Sequence, residues 1–533
     1  MDTISPLSVP PNLARVSTAI LPPSENIPSF VLGLDHKSYK TQYSNIYFTR
    51  LHELRGNVEE RANKRWKNLE GKPILIPRVL EVTKSQLCYV VGTIYMDMPL
   101  KPNVMEDIAR DHSIPPPPPP NKFHSSDDSV MLEDESGRIR LVGDRVDKAR
   151  LITGVIIGAL GMETTNGDFE VVDICFPEMA PQPLSEGEAA EEDRMDVDVS
   201  SDEWIAVISG LDIGALSPSD GQMQMLVEYL TGELGSIDEQ ISSSQISRLV
   251  IAGNSMASLS ITGRSEPVPN VEDRKSRRYG QDTSTFSSHP MRALAAHVLD
   301  IARAIPIHIL PGETDPSGTL MPQQPFPRAI FGQAAKLPTL FCETNPTYLR
   351  LGALSESDGY SSIQRTRTLL IHSGQPLNDA FKYLPSRRNT RLSILESTLY
   401  WRHMAPTAPD TLWCHPYLDA DPFIIRETPD VYIVGGQKHF ATKIVEGKNE
   451  DDVENMRLKS RCRIVMVPSF ARSGTLVLIN LRTLDVKCIN FGAEGMASGG
   501  KELEKLGTSR PPSPIPAEPI SSVAQSQGST GGM

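Results

Sequence analysis

Residues 305–316 read I-P-I-H-I-L-P-G-E-T-D-P, an apolar run that ends abruptly in a turn of glycine and acidic residues. A run of this kind, rich in β-branched residues and bounded by proline and glycine, predicts a strand that is buried on both faces and delivers a polar loop. Four further runs follow the same plan and end in glycine beside Asp, Asn or His. They are residues 204–208 before 209–212, 248–252 before 253–255, 369–371 before 372–374, and 431–434 before 435–439.

The five predicted strand ends have the layout of a metallophosphoesterase, because ligands bind at the carboxyl ends of strands in open α/β sheets. Such an enzyme needs carboxylates and imidazoles that hold two cations about 3.5 to 4 Å apart, so that the metal pair activates water and clamps the phosphate. The usual pattern of these ligands is D-x-H, then G-D-x-x-D, then G-N-H-D or G-N-H-E, and finally G-H-x-H.

The four ligand positions are degenerate in this sequence. They carry Asp212 without a D-x-H, Asn254 without the bridging carboxylate, Asp315 after a threonine where the catalytic histidine belongs, and His439 as the one histidine of the last pair. A divalent ion with so few ligands would have a poorly compensated charge, and Lys438 would repel it. The sequence therefore predicts vestigial positions that bind no metal and no cofactor, and no catalytic residues.

Two other patterns resemble catalytic motifs only superficially. Residues 495–501 spell G-M-A-S-G-G-K, but Glu502 replaces the Ser or Thr with which a P-loop holds magnesium. Ser373 stands beside His372 and near Asp379, but the pattern G-x-S-x-G is absent, and adjacency in sequence is not the geometry of a triad. We interpret the first as a chance match and the second as polar groups satisfied within a loop.

The composition excludes several classes of protein. The chain of 533 residues is too long for one ordinary core, which predicts two domains and additional tails. A net charge of −13 provides no overall field that would attract DNA or RNA, so direct nucleic-acid binding is disfavoured. The six cysteines are scattered without a C-x-x-C pair, which indicates neither a zinc site nor a disulfide framework.

The hydropathy pattern contains no segment that resembles a signal peptide or a membrane span. The N-terminus lacks a basic region followed by an apolar core, and the longest apolar run, residues 151–162, is interrupted by glycine and too short to cross a bilayer. These features predict a soluble intracellular protein that has no contact with membranes.

Changes in composition divide the chain into five predicted parts. Residues 1–29 form a disordered leader rich in Pro and Ser, and residues 30–180 form an N-terminal domain of helices and short strands. Residues 181–203 are an acidic linker, because nine acidic residues and one basic residue lie between Glu186 and Glu203. Residues 204–491 form the α/β domain, and residues 492–533 form a disordered tail.

The N-terminal domain is predicted to be a helix followed by a small barrel. Apolar residues at helical spacing predict a helix over residues 43–66 that breaks near Gly56. Five or six short strands follow, with a hairpin turn at residues 133–137, and the OB type is the commonest small barrel of this kind. The prolines at 115–120 read as a stiff spacer or a polyproline ligand. The strands are predicted at residues 74–76, 87–95, 130–132, 139–142, 149–158 and 169–175.

The second domain alternates strands with helices. Apolar faces predict one helix that ends at Gly235 and another that begins at Pro290. Residues 265–288 form a polar loop whose four basic residues are either solvated or a nuclear import signal. The runs at residues 463–467, 476–481 and 487–491 predict antiparallel strands.

Several long strings resemble the B-subunit family of replicative DNA polymerases. Residues 39–51 (Y-K-T-Q-Y-S-N-I-Y-F-T-R-L) are similar to the family's entry segment, and residues 90–102 (V-V-G-T-I-Y-M-D-M-P-L-K-P) resemble its barrel signature. Residues 132–141 continue that signature. The resemblance extends over residues 30–491, while the acidic insert, the basic loop and the long tail depart from it. The family's strand-end motifs are resembled by residues 249–255, 311–316, 373–379, 405–412 and 416–423.

The resemblance implies a two-domain protein of mixed α+β and α/β class. It joins an OB-fold β-barrel to an inactive calcineurin-like phosphodiesterase domain, a β-sandwich core flanked by helices. It implies a non-catalytic scaffold of a polymerase holoenzyme that acts in the nucleus in DNA replication and repair. A divergent metal-dependent phosphoesterase or exonuclease is the alternative, and the number of intact ligand positions favours the scaffold.

The resemblance also implies the partners. These are the cysteine-rich C-terminal region of the catalytic subunit of DNA polymerase delta, expected on the second domain, and a further accessory subunit, expected mainly on the barrel. Whether the catalytic subunit of polymerase zeta shares the chain stays open, and contact with DNA is expected to be indirect. Aromatic residues on proline-punctuated loops are candidate partner contacts, since stable interfaces are anchored by aromatic residues and arginine. The candidates are Tyr400, Trp401, Trp413, Tyr417 and Phe423.

Deleting residues 186–202 or residues 492–533 is expected to leave the melting temperature almost unchanged, because such segments have too little apolar surface to pack. Differential scanning calorimetry of the two truncated proteins beside the full chain measures this. A loss of several degrees in either protein would show that the deleted segment packs against the folded domains.

Overall fold

The computed structural model describes residues 14–33, 42–102, 120–183, 203–215, 220–258, 289–357, 360–386, 390–447 and 460–492. The first half of the predicted leader, most of the proline run, nearly all of the acidic linker, the basic loop and the C-terminal tail lie outside these residues.

Eighteen strands are present in the described residues. They are β1 (Thr18–Leu21), β2 (Ile74–Ile76), β3 (Cys88–Asp97), β4 (Ser129–Glu133), β5 (Arg138–Val142), β6 (Ile156–Glu163), β7 (Phe169–Cys175), β8 (Trp204–Ile208), β9 (Ile246–Ala252), β10 (Ile307–Leu310), β11 (Leu340–Cys342), β12 (Thr347–Ser357), β13 (Tyr360–His372), β14 (Val431–Gln437), β15 (Ala441–Glu446), β16 (Arg461–Pro468), β17 (Thr475–Asn480) and β18 (Val486–Asn490).

The helices have recognisable start signals. Ser236 and Glu239 form a capping box at the start of α4, and Thr390 accepts a hydrogen bond from the backbone N–H of Ser393 at the start of α7. No helix in the described ranges combines the length and the apolar character needed to cross a membrane. The helices are α1 (Asn45–Trp66), α2 (Asp144–Lys148), α3 (Asp220–Thr231), α4 (Ile237–Ser244), α5 (His289–Ala304), α6 (Gln375–Tyr383), α7 (Arg391–Tyr400) and α8 (Phe470–Ser473).

Strands β2–β7 form a small barrel. The strand order is β2-β3-β4-β5-β7-β6, and a further pairing of β3 with β6 closes the ring. The long strand β3 makes this possible, because it pairs with β6 along one edge and with β2 and then β4 along the other. Apolar side chains that include Val90, Ile94, Leu132 and Phe169 fill the interior.

The predicted barrel strands agree with the observed ones except at residues 149–158. Strand β6 begins only at Ile156, and the residues before it form a buried turn. Gly154 lies in that turn with a positive φ of 89°, and a Cβ there would overlap the carbonyl oxygen of Pro406. The apolar run is therefore buried against the second domain rather than paired in a sheet.

Helix α1 runs through Gly56 without the predicted break. A glycine within a helix costs about 1 kcal/mol relative to alanine. Here the helix buries one face that includes Leu51, Leu54, Val58 and Trp66, and the exposed Gly56 lies on the other side. Packing of the apolar face outweighs the poor helix propensity of one exposed residue.

The second domain contains two six-stranded sheets. Their orders are β1-β12-β13-β14-β16-β15 and β11-β10-β9-β8-β17-β18. One apolar cluster takes residues from both sheets, among them Ile205 and Val250 of the second sheet and Ile371 and Ile433 of the first. The outer face of the second sheet packs on α3 and α5, for example through Leu226 of α3.

The sheets are mixed rather than antiparallel in the last third of the chain. Strand β16, predicted as antiparallel, runs parallel to β14 and antiparallel to β15. The prediction holds for β17 and β18, which pair as an antiparallel hairpin. An apolar run cannot by itself specify the direction of its neighbours, because the same side-chain pattern suits either pairing.

Residues 14–29 are not the disordered leader that their composition predicts. Strand β1 pairs antiparallel with β12 and so completes one edge of the first sheet. The Arg15 guanidinium donates hydrogen bonds to the carbonyl oxygens of Leu230 and Ser243 at 2.9 and 2.8 Å. Phe30 then stacks on Tyr348 with ring centroids 5.9 Å apart. These tertiary contacts order a segment whose own sequence shows no periodicity.

One buried arginine joins the barrel to the sandwich. Arg50 of α1 is fully buried, and its Nε atom donates to Asp421 Oδ2 at 2.7 Å. Its Nη1 atom donates to the carbonyl oxygens of Pro406 and Gly154 at 2.7 and 3.1 Å, and Nη2 donates to that of Ala408 at 2.8 Å. The guanidinium thus connects the helix, a barrel turn and a loop of the sandwich.

His403 completes this junction on the sandwich side. Its Nε2 atom lies 2.8 Å from Asp421 Oδ2, and its Nδ1 atom accepts a hydrogen bond from the backbone N–H of Ala405 at 3.2 Å. Burial alone would raise the pKa of Asp421, but the charge of Arg50 and the contact with His403 hold that pKa well below its ordinary value. Asp421 is therefore an anion between two donors.

Replacing Arg50 with alanine is expected to lower the free energy of unfolding by about 3 to 5 kcal/mol, because Asp421 would be left as an uncompensated buried charge. Urea unfolding followed by circular dichroism measures the change. The matched control is Arg55→Ala, which removes the partly exposed ion pair with Glu135 and should cost less than about 1 kcal/mol. Equal costs for the two variants would contradict the assigned role of Arg50.

Candidate functional site

The structure brings all five predicted strand ends into contact. Ser209, after β8, donates through Oγ to the carbonyl oxygens of Ala252 and Gly253 at 2.7 and 3.2 Å. The same Oγ accepts a hydrogen bond at 2.8 Å from the backbone N–H of Gly436, which belongs to the other sheet. A single hydroxyl therefore links the ends of β8, β9 and β14. We call this set of loops, residues 209–215, 253–256, 311–315, 373–375 and 435–437, the strand-end cluster.

The side chain of Asp315 binds backbone N–H groups of its own cluster. The side chain is 6% exposed, and its two carboxylate oxygens accept hydrogen bonds from the N–H groups of Met256 and Gly312, both at 2.8 Å. Burial raises the pKa of Asp315 to about 6, and the backbone donors oppose that rise. The carboxylate thus holds two loops together instead of facing an open site.

Asn254 has a comparable internal role. Its Oδ1 atom accepts a hydrogen bond from the backbone N–H of Thr314 at 3.2 Å. Its backbone has a positive φ of 57°, a conformation that asparagine tolerates better than most residues. Asn254 therefore shapes the turn after β9 and fastens it to the turn after β10.

Neutral amides fill the space beside these two residues. Asn345 donates through Nδ2 to Gln323 Oε1 and Ser373 Oγ, both at 2.7 Å, and Gln375 Oε1 lies 3.1 Å from the same nitrogen. The Oδ1 atom of Asn345 accepts from the backbone N–H of Ser373 at 3.0 Å. Gln323 in turn donates to the carbonyl oxygen of Gly312 at 3.0 Å. This network consists of neutral groups that donate to and accept from one another.

The loops after β9 and β13 approach each other closely at Gly253. Gly253 has a positive φ of 79°, and a Cβ at this position would overlap the Cβ of Ser373. A side chain at residue 253 is thus excluded both by the backbone conformation and by the neighbouring loop. The turn after β9 is thus packed directly against the turn after β13.

Asp212 and His439, the other two predicted ligand positions, have different surroundings. Asp212 has a positive φ of 47°, and burial raises the pKa of its carboxyl group while Arg472 and Ser469 lower it. His439 is exposed in the turn between β14 and β15. Across the described ranges, no three His, Cys, Asp or Glu side chains are grouped so that they could hold a metal ion.

His372 is a buried neutral group at the end of β13. Its Nδ1 atom accepts a hydrogen bond from the backbone N–H of Gly374 at 3.0 Å, so Nε2 carries the proton and donates to the Tyr432 hydroxyl at 3.1 Å. Burial lowers the pKa of His372 from 6.5 to about 3. The imidazole therefore orients the start of α6 rather than transferring protons near neutral pH.

The five aromatic residues predicted to contact a partner differ in how far they are buried. Trp401 and Phe423 are 1% and 0% exposed, so the prediction that they contact a partner is wrong for the folded chain. Both pack in the core, and Phe423 lies against Phe30 and Tyr417. Tyr417 is half-buried, whereas Trp413 is 61% exposed.

Tyr400 is half-buried at a cleft between the barrel and the sandwich. The cleft has a volume of about 370 Å³, and Lys148, Phe176, Glu396 and Trp401 also line it. Glu396 is paired with Lys443 at 2.7 Å, so part of the charge at the rim is already compensated. Tyr400 remains a prediction as a partner contact.

The sequence analysis did not identify Arg50, Gln323 or Asn345, whose side chains join distant parts of the fold. Arg50 stands four residues after Ile46 and four before Leu54, both of which are buried, and this spacing is the one signal that a charge lies on the apolar face. No comparable signal marks Gln323 and Asn345, because polar residues in loops are ordinary and their partners are distant in sequence.

Comparison with known proteins separates the chain into the same two regions. Residues 42–174 match the family model of the DNA polymerase delta subunit OB-fold domain. Residues 205–442 match the family model for the B-subunit of DNA polymerases alpha and epsilon.

Relatives of similar length come from several eukaryotes. The DNA polymerase delta small subunit of Oryza sativa subsp. japonica is 33% identical over 451 residues, which cover 84% of this chain and 93% of the relative. That of Saccharomyces cerevisiae is 33% identical over 493 residues, covering 87% of this chain and 92% of the relative. DNA polymerase delta subunit 2 of Drosophila melanogaster is 32% identical over 474 residues, covering 88% and 97%.

Acidification is expected to destabilise the fold through His372. Below pH 6.5 the unfolded chain binds a proton at this residue that the folded chain, with its pKa of about 3, does not bind. The free energy of unfolding should therefore fall as the pH drops through 6.5, with a slope that approaches about 1.4 kcal/mol per pH unit towards pH 5 on account of this one group. Urea unfolding between pH 7 and pH 5 measures the slope.

The variant His372→Asn keeps an acceptor for the Gly374 N–H and removes the titrating ring, so its slope should be smaller by that amount. His439→Asn, at an exposed position, is the control and should retain the slope of the parent chain. Identical slopes for the parent and His372→Asn would contradict the role assigned to His372.

Proposed function

The chain belongs to the family of DNA polymerase delta small subunits, and from this premise we propose that it is the non-catalytic accessory and scaffold subunit of the DNA polymerase delta holoenzyme. In this function it bridges the C-terminal region of the catalytic subunit and a further accessory subunit during DNA replication and repair in the nucleus. The barrel, residues 42–174, is its OB-fold domain.

The closed packing of the strand-end cluster carries the proposal that the chain does no chemistry of its own. Both oxygens of the Asp315 carboxylate accept hydrogen bonds from backbone N–H groups, and neutral amides of Asn345 and Gln323 lie beside it in the same cluster. Two metal ions require several carboxylates or imidazoles that converge on open space. We therefore interpret residues 204–491 as an inactive calcineurin-like phosphodiesterase domain.

A domain of this kind can still bind other subunits through a large rigid surface. The sandwich buries its polar loops and shares one apolar cluster with the barrel, so both domains present fixed surfaces. Preorganised surfaces lose little conformational freedom on association, which favours stable complexes. The sandwich is proposed to hold the cysteine-rich C-terminal region of the catalytic subunit, and the barrel to contribute mainly to the contact with the other accessory subunit.

Purified chain supplied with manganese or magnesium is expected to hydrolyse neither bis(p-nitrophenyl) phosphate nor single-stranded DNA above the rate of a double variant, Asp315→Asn with His439→Ala. These substitutions remove the two vestigial positions that most resemble metal ligands. Turnover that the double variant abolishes would support the metal-dependent phosphoesterase or exonuclease instead of the scaffold.

The full chain is expected to form a complex with the C-terminal region of the catalytic subunit that survives gel filtration, because stable subunit interfaces bury roughly 1,600 Å² or more. Hydrogen exchange read by mass spectrometry should show protection of amides in the sandwich. The second accessory subunit should protect amides of the barrel.

Full-length protein suits this experiment better than isolated domains, because one apolar cluster spans both domains and a fragment would expose it. Protection of barrel amides by the catalytic C-terminal region would reverse the assignment of partners. Absence of a complex with either subunit would contradict the scaffold function itself.

A further inference from the structure

A buried arginine of the second sheet holds the N-terminal strand β1. The Nε atom of Arg248, on β9, donates to the Thr18 hydroxyl at 2.6 Å, and its Nη2 atom donates to the carbonyl oxygen of Thr18. Both side chains are buried, and Thr18 is also paired with Ala353 of β12. Arg248 thus fastens β1, an edge strand of the first sheet, to the second sheet.

A third nitrogen of this guanidinium binds a buried imidazole. Nη1 of Arg248 lies 3.2 Å from Nε2 of His308 on β10. The two side chains lie on the same face of the sheet, because His308 is opposite Val250, two residues after Arg248. Arginine has no acceptor, so Nε2 accepts, and the neutral ring carries its proton on Nδ1, which donates to Glu343 Oε1 at 2.9 Å. The imidazole is therefore bonded to a cation on one side and to a carboxylate on the other.

The charge of Arg248 is met directly by neutral groups. Its acceptors are a hydroxyl, a carbonyl oxygen and the imidazole, and among the described residues no carboxylate forms an ion pair with it. Burial lowers the pKa of Arg248 to about 10, so the guanidinium stays charged near neutral pH. A buried charged donor that loses an acceptor is costly. The contact with β1 thus depends on a neutral His308.

Two charged groups of the described residues act on the ring of His308. They are Arg248 from β9 and Glu343 from the segment after β11. Phe341 of β11 stacks on the ring with centroids 4.8 Å apart, and the side chains of the cluster between the sheets are apolar. Burial, the largest effect, lowers the pKa of His308 below 6.5, Glu343 opposes this, and the charge of Arg248 adds to it.

Protonation of His308 removes the acceptor that Arg248 uses. The added proton is on Nε2, so two cationic donors then face each other across 3.2 Å. Moving the guanidinium towards water relieves this repulsion, but it also breaks both hydrogen bonds to Thr18. The same step that separates the two cations therefore unfastens β1.

We propose that Arg248, His308 and Glu343 form an acid-sensitive clasp, which holds β1 against the sandwich while His308 is neutral and releases it when His308 takes up a proton. Release leaves the backbone groups of β12 unpaired at this edge of the first sheet. An unpaired edge is a template for another strand, so the clasp protects the sandwich from such pairing at neutral pH.

The released form binds the proton more readily than the clasped form, because the ring regains its ordinary pKa of about 6.5 in water. The equilibrium constant for release therefore rises as the pH falls below 6.5. Between pH 7 and pH 5 the rise is at most about 25-fold, the limit for one group that titrates only in the released form.

Hydrogen exchange of the full-length chain, read by mass spectrometry at pH 7 and pH 5, measures release as the protection factor of the amides in residues 18–21. This factor is corrected for the pH dependence of chemical exchange. We expect it to be lower than that of the hairpin β17–β18 at both pH values and to fall by up to about 25-fold at pH 5. Equal protection of β1 and the hairpin, or protection of β1 that does not change with pH, would contradict the clasp.

Two variants separate His308 from the other buried histidine. His308→Gln keeps an oxygen that accepts from Arg248 and an amino group that donates to Glu343, but it does not titrate, so the protection of β1 should be the same at both pH values. His372→Asn should retain the fall seen in the parent.

An equal fall in the parent and in His308→Gln would place the acid sensitivity elsewhere, as at Glu427, which binds Ser24 and Asn26, and would overturn the proposal. Thr18→Val tests the clasp without altering a histidine. It removes the hydroxyl acceptor of Arg248 and should lower the protection of β1 already at pH 7. Unchanged protection in this variant would show that Arg248 does not hold the strand.

Discussion

The Arg50 guanidinium is the interaction on which the arrangement of the two domains depends. A buried charge is costly unless it is paired and hydrogen-bonded, and here one carboxylate and three carbonyl oxygens meet the planar array of N–H groups. Because the acceptors come from a barrel turn and from a sandwich loop, the charge is satisfied only while both are docked on α1. His403 and Asp421 complete the arrangement. The junction thus specifies one relative position of helix, barrel and sandwich. It also determines the shape of any surface that includes residues of more than one of them.

In the strand-end cluster the loops that follow the strands bind one another. Glycine and short polar residues at strand ends allow loops to approach each other closely, and in an enzyme the converging side chains would be charged ligands around open space. In this chain the converging groups are mostly neutral amides and hydroxyls that satisfy each other, as in the contacts of Asn345 with Gln323 and Ser373. The remaining carboxylate of Asp315 fastens two turns through their N–H groups. These hydrogen bonds join loops that are distant in sequence.

The predictions that proved wrong have a common physical origin. Residues 14–29 lack periodicity, yet they are ordered by hydrogen bonds to β12 and to carbonyl groups of distant helices. Gly56 does not break α1, because the buried face of that helix stabilises it more than one glycine destabilises it. Trp401 and Phe423 lie near prolines in the sequence but inside the core in space. In each case a contact far away in sequence overrides a local tendency.

The sequence by itself determined many of the secondary-structure elements. Alternating and continuous apolar runs specify most strands of the barrel and the sandwich, since burial on one or two faces leaves a periodic signature. Only the tertiary structure decided which polar groups are partners and which aromatic residues stay exposed. Arg50 binds Asp421, which lies 371 positions away in the sequence. Trp413 is exposed, whereas Trp401 is buried. Pairings at such separations depend on the geometry of the whole fold, which no local pattern encodes.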